Sequence, residues 1–363
     1  MCQTPMDYFR NFSLTINTTC GMSCPHCDLP VYRKTSDREF LSPDAWASLL
    51  DRLIPIVKPG VVALAAREPL FDARSRMVTR RVLETARKWR TQCGFISNGT
   101  DIDAFFQEIE EDFRFDYMDL SLEGTRLIDR ASRGDGHFDK VARLLTQGRW
   151  RRHTDVLHLS TTLTTVNSSD KQLDEYFAWL LDHVDKPNLV LLLLYPNKNV
   201  REELALKHGD VERIIDKTLG FSAKFSSIIF DAFPGSIPDL CQLIDRGILP
   251  GDDEVCRDEY GVLCGNITDD LFIRYYSLYD LLKYHLRISP EGFALSSLGV
   301  ESANYLTDNY GDLLSEDLAV IRERVARALA KEDAKPHDEC VGRRCFDICR
   351  GGAGKRCPIR CHP

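Results

Sequence analysis

Nothing in this chain of 363 residues is built to cross a bilayer. Its longest apolar run, Leu189 to Leu194, falls far short of the ~20 apolar residues that a spanning helix needs. The N-terminus, MCQTPMDYFR, lacks the basic start and apolar stretch of a secretory signal. An excess of positive charge is missing as well. Lys and Arg number 47 against 55 Asp and Glu, a formal charge of −8, and broad nucleic-acid binding usually leaves a basic footprint. There is no internal repeat and no low-complexity tract. The expectation is a soluble, cytoplasmic protein with neither a membrane nor a nucleic acid as partner.

What is present is an ordinary globular composition, 43% hydrophobic and 28% charged. The length allows a real core and about two domains. The unusual feature is cysteine. There are 13, and they are not evenly spread: three lie within Cys20–Cys27 and five within Cys340–Cys361. Clustering at short spacing in an intracellular chain indicates metal or iron–sulfur ligation rather than a disulfide framework.

Apolar, β-branched segments alternate with amphipathic ones through the first half. Phe12–Thr19 reads as a strand, and Ser42 caps a helix with Pro43 in its first turn. Val61–Ala66, Gly94–Ser97, Met118–Leu122, Val156–Thr165 and Leu189–Tyr195 read as further strands. Between them, Ser75–Trp89, Ile102–Phe113, Phe138–Gln147 and Lys171–Val184 read as helices. Six such repeats before residue 200 predict an α/β fold with a parallel sheet, a full or partial (β/α) barrel. Residues 201–255 read as a mixed bridging segment. Arg287–Leu295 reads as a hairpin turning at Pro290-Glu291-Gly292, and Asp312–Lys331 as a helix. From Ala334 onward there is almost no periodic apolar pattern, so that segment needs staples, which its cysteines can supply.

The first cluster is Cys20-Gly-Met-Ser-Cys24-Pro-His-Cys27, directly after the first strand. Three thiolates on a [4Fe–4S] cluster leave one iron open to a small chelating ligand. A zinc site, with His26 as a fourth ligand, is the alternative that spacing alone leaves standing. The loop's place at the carboxyl end of the first strand, where barrel active sites lie, favours the iron–sulfur reading.

At this point the chain resembles the radical S-adenosylmethionine (SAM) superfamily, whose signature is C-x3-C-x2-C after the first strand of a partial (β/α)6 barrel. The resemblance covers about residues 10–200. It implies that Cys20, Cys24 and Cys27 hold the cluster. Ala66-Arg67-Glu68-Pro69 stands where the family has Gly-Gly-Glu-Pro, which implies that Glu68 contacts the SAM amino group; both glycines are replaced. Ser97-Asn98-Gly99 is similar to Thr-Asn-Gly, and Ser121-Leu-Glu123-Gly124 to Ser-x-Asp-Gly. Ser97, Asn98, Ser121 and Glu123 are therefore candidate cofactor-binding residues. Arg133 is a candidate for the SAM carboxylate, and His26 takes the place of the aromatic residue near adenine. Thr164 to Asn167 closes the fifth strand.

The tail, Cys340-x4-Cys345-x3-Cys349-Arg-Gly-Gly-x4-Cys357-x3-Cys361, resembles the SPASM/twitch auxiliary-cluster domains of the same superfamily, as does the turn Ile288-Ser-Pro-Glu-Gly292. The resemblance implies three units: a barrel at 1–200, the bridge at 201–255 and an auxiliary-cluster domain at 256–363. One assignment gives Cys340, Cys345, Cys349 and Cys361 to a complete cluster. It gives Cys256, Cys264 and Cys357 to a second with an open iron, because Ser297 replaces the thiolate the family places there. The rival is a single auxiliary cluster. Cys2 and Cys93 read as small buried hydrophobes. Cys241 reads the same way, with the catalytic alternative of donating a hydrogen atom to a substrate radical. His137, His153 and His158 show no ligand spacing and read as structural or surface residues.

Two substrate classes fit. One is a ribosomally made peptide that is crosslinked or otherwise oxidised. The other is a sugar, aminocyclitol or similar small natural-product intermediate, dehydrogenated or epimerised. The 19 residues before Cys20 are too few for a peptide-recognition domain, which points to a small substrate or to a separate recognition protein. The cysteine-rich C-terminal part points to a peptide. An external electron donor such as flavodoxin or ferredoxin is implied in either case. A non-catalytic iron–sulfur or zinc scaffold is the third reading.

Overall fold

The structure, a computed structural model, describes residues 8–27, 38–65, 67–194, 200–295 and 309–333, together with 344, 345 and 348. Cys2, Ala66, Ser297, Cys340, Cys349, Cys357 and Cys361 lie outside the described residues.

The strands are β1 (Asn11–Leu14), β2 (Val61–Leu64), β3 (Gln92–Ser97), β4 (Tyr117–Ser121), β5 (Val156–Leu163), β6 (Asn188–Leu193) and β7 (Ser227–Ala232). Then come β8 (Cys256–Arg257), β9 (Leu263–Thr268), β10 (Leu271–Tyr275), β11 (His285–Ile288), β12 (Phe293–Leu295) and β13 (Asn309–Asp312). The helices are α1 (Pro43–Val57), α2 (Ala73–Lys88), α3 (Ile102–Glu108), α4 (Arg126–Arg133), α5 (His137–Gln147), α6 (Asp170–His183), α7 (Asp210–Leu219), α8 (Leu240–Asp245), α9 (Leu278–Tyr284) and α10 (Leu318–Asp333).

Local chemistry sets the helix starts as the sequence predicts. The Ser42 hydroxyl accepts from the Ala45 amide with Pro43 at the first helical position, and Asp72 and Ser169 cap α2 and α6 in the same way. Three boundaries are corrected: β1 ends at Leu14 rather than Thr19, α3 ends at Glu108 rather than Phe113, and α10 begins at Leu318, six residues later than expected. The Asp312 carboxylate accepts from the Leu314 amide and the Ser315 hydroxyl and forms a bidentate pair with Arg38. That local alternative to the helical ladder keeps Asn309–Asp312 extended as β13.

All thirteen strands form one sheet, in the order β13-β12-β11-β1-β2-β3-β4-β5-β6-β7-β10-β9-β8. The strands β1 to β7 lie side by side in chain order and in parallel, which is the expected partial barrel. The segment 201–255 contributes β7, paired in parallel with β6, and beyond it β10 adds to β7 and β11 to β1, also in parallel. Antiparallel strands then border both ends.

Alternation along the strands separates two faces. Met118 and Leu120 of β4 and Leu157 and Leu159 of β5 are buried in one large apolar core, to which the helices contribute their own apolar sides. The intervening Asp119 and His158 belong to the other face, the lumen of the partial barrel. At the amino ends of the strands the lumen meets the loop carrying Tyr260. Its carbonyl accepts from Asn11 Nδ2 (2.8 Å), and its hydroxyl donates to Gln92 (2.6 Å). Its ring comes so close to Gly60 that a Cβ there would lie 2.9 Å away. The opposite, carboxyl ends carry the cysteine loop after β1 and the loops after β2 to β5.

Candidate active site

The loop after β1 brings Cys20, Cys24 and Cys27 to the carboxyl edge of the sheet, all three partly accessible. Its approach is fixed from β2. Asn17 Nδ2 donates to the Glu68 carbonyl (2.7 Å) and to Ser75 Oγ (2.9 Å), and the Glu68 amide donates to the Thr19 carbonyl. Within the loop, the Cys27 amide donates to the Cys24 carbonyl (3.1 Å). Burial pushes the Cys24 thiol up to about 11, with Arg133 opposing the shift and Cys27, Glu123 and Cys20 adding to it.

Glu68 is 1% exposed. Its Oε1 accepts from Ser97 Oγ (2.8 Å) and the Leu70 amide (3.1 Å), and its Oε2 from the Asn98 amide (2.7 Å). Three of about four acceptor sites are thereby filled, leaving one on Oε2. Burial raises the carboxyl to about 7 against these hydrogen bonds. Just before it, Arg67 holds φ +57°, the left-handed region that favours glycine.

Asn98 is held at every polar atom. Besides its amide on Glu68, its carbonyl accepts from His137 Nε2 (2.7 Å), and its Oδ1 accepts from the Thr100 amide (2.8 Å) and hydroxyl (2.5 Å). Its Nδ2 donates to Cys20 Sγ at 3.6 Å. His137 Nδ1 in turn meets Asp129 Oδ1 (2.6 Å), and Asp129 Oδ2 accepts from the Glu123 amide (3.0 Å).

Glu123, 1% exposed, gathers the β4 and β5 sides. Its Oε1 accepts from Arg133 Nε (2.9 Å) and Arg133 Nη2, and its Oε2 from the Thr162 amide (2.7 Å). His26 Nε2 lies 3.5 Å from Glu123 Oε1. Arg133 therefore spends two of its donor groups on Glu123 rather than standing open as a fork, and His26 faces the carboxylate. Ser121 sits at the end of β4, opposite Ser160. Asn167 braces this corner. Its Nδ2 donates to the carbonyls of Glu123 (3.0 Å) and Thr162 (2.9 Å).

His26, Glu68, Ser97, Asn98, Glu123 and Arg133 thus join the cysteine loop in one buried network at successive strand ends. Asp129, His137 and Asn167 complete it, and sequence reasoning missed their part. Their only signal is position after the fourth and fifth strands, Asp129 in α4, His137 at the start of α5 and Asn167 in the turn after β5.

A second set lies deeper in the lumen. His158 Nδ1 meets Asp119 Oδ1 at 2.7 Å across the β4–β5 register, and Arg274 pairs with both oxygens of Asp231 (2.5 and 2.8 Å) across β7–β10. Burial pushes the Asp231 carboxyl up. Arg274 and, more weakly, His158 oppose the shift, and Asp119 adds to it, so the two pairs share one field. His158, expected as structural or surface, is a lumen residue.

Outside this site, Cys241 on α8 and Cys345 are buried with their sulfurs 2.6 Å apart. Around them the tail docks on the loop before β8. The Arg344 carbonyl accepts from the Asp252 amide, the Ile348 amide donates to Asp252, and the Arg344 side chain pairs with Asp253 and Glu254. Cys256 and Cys264 stand opposite each other on β8 and β9. Burial pushes the Cys264 thiol to about 12. Cys93 is wholly buried.

The donor set is soft thiolate, which selects zinc or iron–sulfur groups over harder ions. Among the described residues no group of three or more His, Cys, Asp or Glu side chains is placed to hold one metal ion. Three thiolates on a cubane would each serve a different iron and leave the fourth open.

No protein-family model matches the chain, and no curated protein matches it. Solved structures do. Streptococcus suis SuiB bound to precursor peptide SuiA aligns over 95% of this chain and 72% of its own, at TM-score 0.68 and 12% identity. The fold is that of radical SAM enzymes. SuiB bound to S-adenosylmethionine matches at the same TM-score with 13% identity, covering 95% of this chain and 73% of its own. Native anSMEcpe with bound AdoMet and Kp18Cys peptide aligns at TM-score 0.60 and 16% identity, over 94% of this chain and 88% of its own. Among the described residues no helix is long and apolar enough to cross a membrane.

Proposed function

We propose that this chain is a radical SAM enzyme that cleaves SAM reductively, takes a hydrogen atom from its substrate and thereby modifies a ribosomally made peptide. The observation that carries the reading is the convergence, at the carboxyl ends of β1 to β5, of a C-x3-C-x2-C loop with Glu68, Asn98, Glu123 and Arg133. When bound, the cluster supplies the electron that breaks a C–S bond of SAM; the chemistry belongs to the cofactor. The chain's own residues hold the loop, keep water from Glu68 and Glu123, and offer the remaining acceptor of Glu68 to the SAM ammonium.

A peptide substrate is supported by the two fold neighbours whose structures hold peptides. The lumen pairs Asp119–His158 and Asp231–Arg274 offer polar contacts to a side chain entering from the open end. The same polar lumen favours, as the second reading, a small hydroxylated substrate such as a sugar or aminocyclitol. One or two auxiliary clusters on the cysteine-rich tail would accept the electron left after hydrogen removal. An external flavodoxin or ferredoxin would supply the first one, and a separate protein could present the peptide.

The test is direct. Anaerobically reconstituted protein reduced with dithionite and given SAM is expected to release 5′-deoxyadenosine; none formed with the cluster intact sinks the reading. Iron content then separates the auxiliary assignments, since about twelve irons per chain means three cubanes and about eight means two.

A further inference from the structure

We propose that the Asn98 side chain is a hydrogen-bond donor to the sulfur of the cluster ligand Cys20 and sets the reduction potential of the SAM-binding cluster; this rests on the radical SAM reading above. The orientation of the amide is forced. The Thr100 backbone N–H can only donate, so the Asn98 atom facing it at 2.8 Å must be the oxygen. That leaves the NH2 group on the side of Cys20 Sγ, at 3.6 Å. The residue has no freedom to turn away, because its amide is fixed by Glu68 and its carbonyl by His137. Asn98 itself is 6% exposed, so its donor is largely shielded from water, although Cys20 is partly accessible.

Hydrogen bonds to the sulfurs are among the groups that set an iron–sulfur potential. Reduction adds negative charge to the thiolate, so a donor stabilises the reduced state more than the oxidised one. Removing it must lower the potential. His137 and Asp129 are then positioning residues, because they hold the Asn98 carbonyl and through it the donor.

The experiment is an EPR-monitored redox titration of the reconstituted full chain, wild type against Asn98→Ala and Asn98→Asp, following the signal that responds to SAM. Both substitutions keep the backbone contacts to Glu68 and His137. The expected result is a midpoint moved to more negative potential, by about a tenfold change in the reduced-to-oxidised ratio, or about 59 mV for one electron. An unchanged midpoint overturns the proposal. So does a tenfold loss of SAM affinity at unchanged midpoint, which would make Asn98 a SAM contact instead. If the variants do not load iron, pulsed EPR on wild type labelled with 15N in asparagine decides, since a donor at this distance must show 15N coupling to the reduced cluster, and none overturns the idea. A wild type with no SAM-responsive signal defeats the underlying reading, an outcome distinct from each of these.

Discussion

At the scale of single residues, the site is built from carboxylates kept out of water, and that makes Glu68 a pH-sensitive point. Its folded value, about 7, lies above the ordinary 4.5. A raised carboxyl contributes stability that is fully present below 4.5 and lost as pH rises to about 7. Wild type should therefore lose stability relative to Glu68→Gln between these values and level off above them, as read by denaturant titrations across the range. SAM binding should behave in the opposite sense. Its ammonium favours the ionised carboxylate, so affinity should rise with pH up to about 7 in wild type and stay flat in Glu68→Gln, measured by calorimetry.

Glu123 and Arg133 carry a different liability. Their side chains are 1% and 11% exposed, so removing one leaves the other charged and buried. Glu123→Gln is expected to cost about 3–5 kcal/mol, whereas pairing it with Arg133→Met should recover much of that loss in a double-mutant cycle. The Cys20 loop and the strand-end motifs were legible because their spacing is local. The partners of Asn98 and Glu123 were not, because His137 lies 39 residues from Asn98 and Asn167 lies 44 from Glu123. Only the sheet brings them together.

At the scale of elements, period and capping read well wherever an element buries one face. The strands β2 to β6 and helices α1, α2, α5 and α6 fall within a few residues of expectation. What escaped was β7, whose Ser227 and Asp231 interrupt the apolar run, and the identity of Arg274 as its neighbour's partner. These polar strand residues make sense only once a lumen exists. Their pairing also ties β7 to β10. Asp231→Ala should cost about 1.5–3 kcal/mol, the value of hydrogen bonds to a charged group, by leaving Arg274 unpaired. Ser169→Ala, which breaks the capping box of α6, should cost about 1 kcal/mol without touching the lumen. Chemical denaturation reads both, and a larger effect for Ser169 would contradict the ranking.

At the scale of the whole molecule, the barrel and the cysteine-rich part share one sheet. β11 lies against β1 and β10 against β7, so the first six strands have no edge of their own making. Cutting the chain after residue 200 would strip β11 from β1 and β7 from β6, exposing Phe12 and Leu14 beside one new edge and Leu189, Leu191 and Leu193 beside the other. Exposed apolar strand edges recruit other chains. A chain ending at residue 200 is therefore expected to aggregate or unfold even though it keeps Cys20, Cys24, Cys27, Glu68, Asn98, Glu123 and Arg133. Size-exclusion chromatography and circular dichroism of that truncation check the point; a monomeric, folded product that binds iron would mean that the first six strands stand alone. The cluster loop thus depends on the tail through the sheet as well as through any electron that passes between them. β1, which delivers Cys20, is held on one side by β2 and on the other by a strand 274 residues later in the chain.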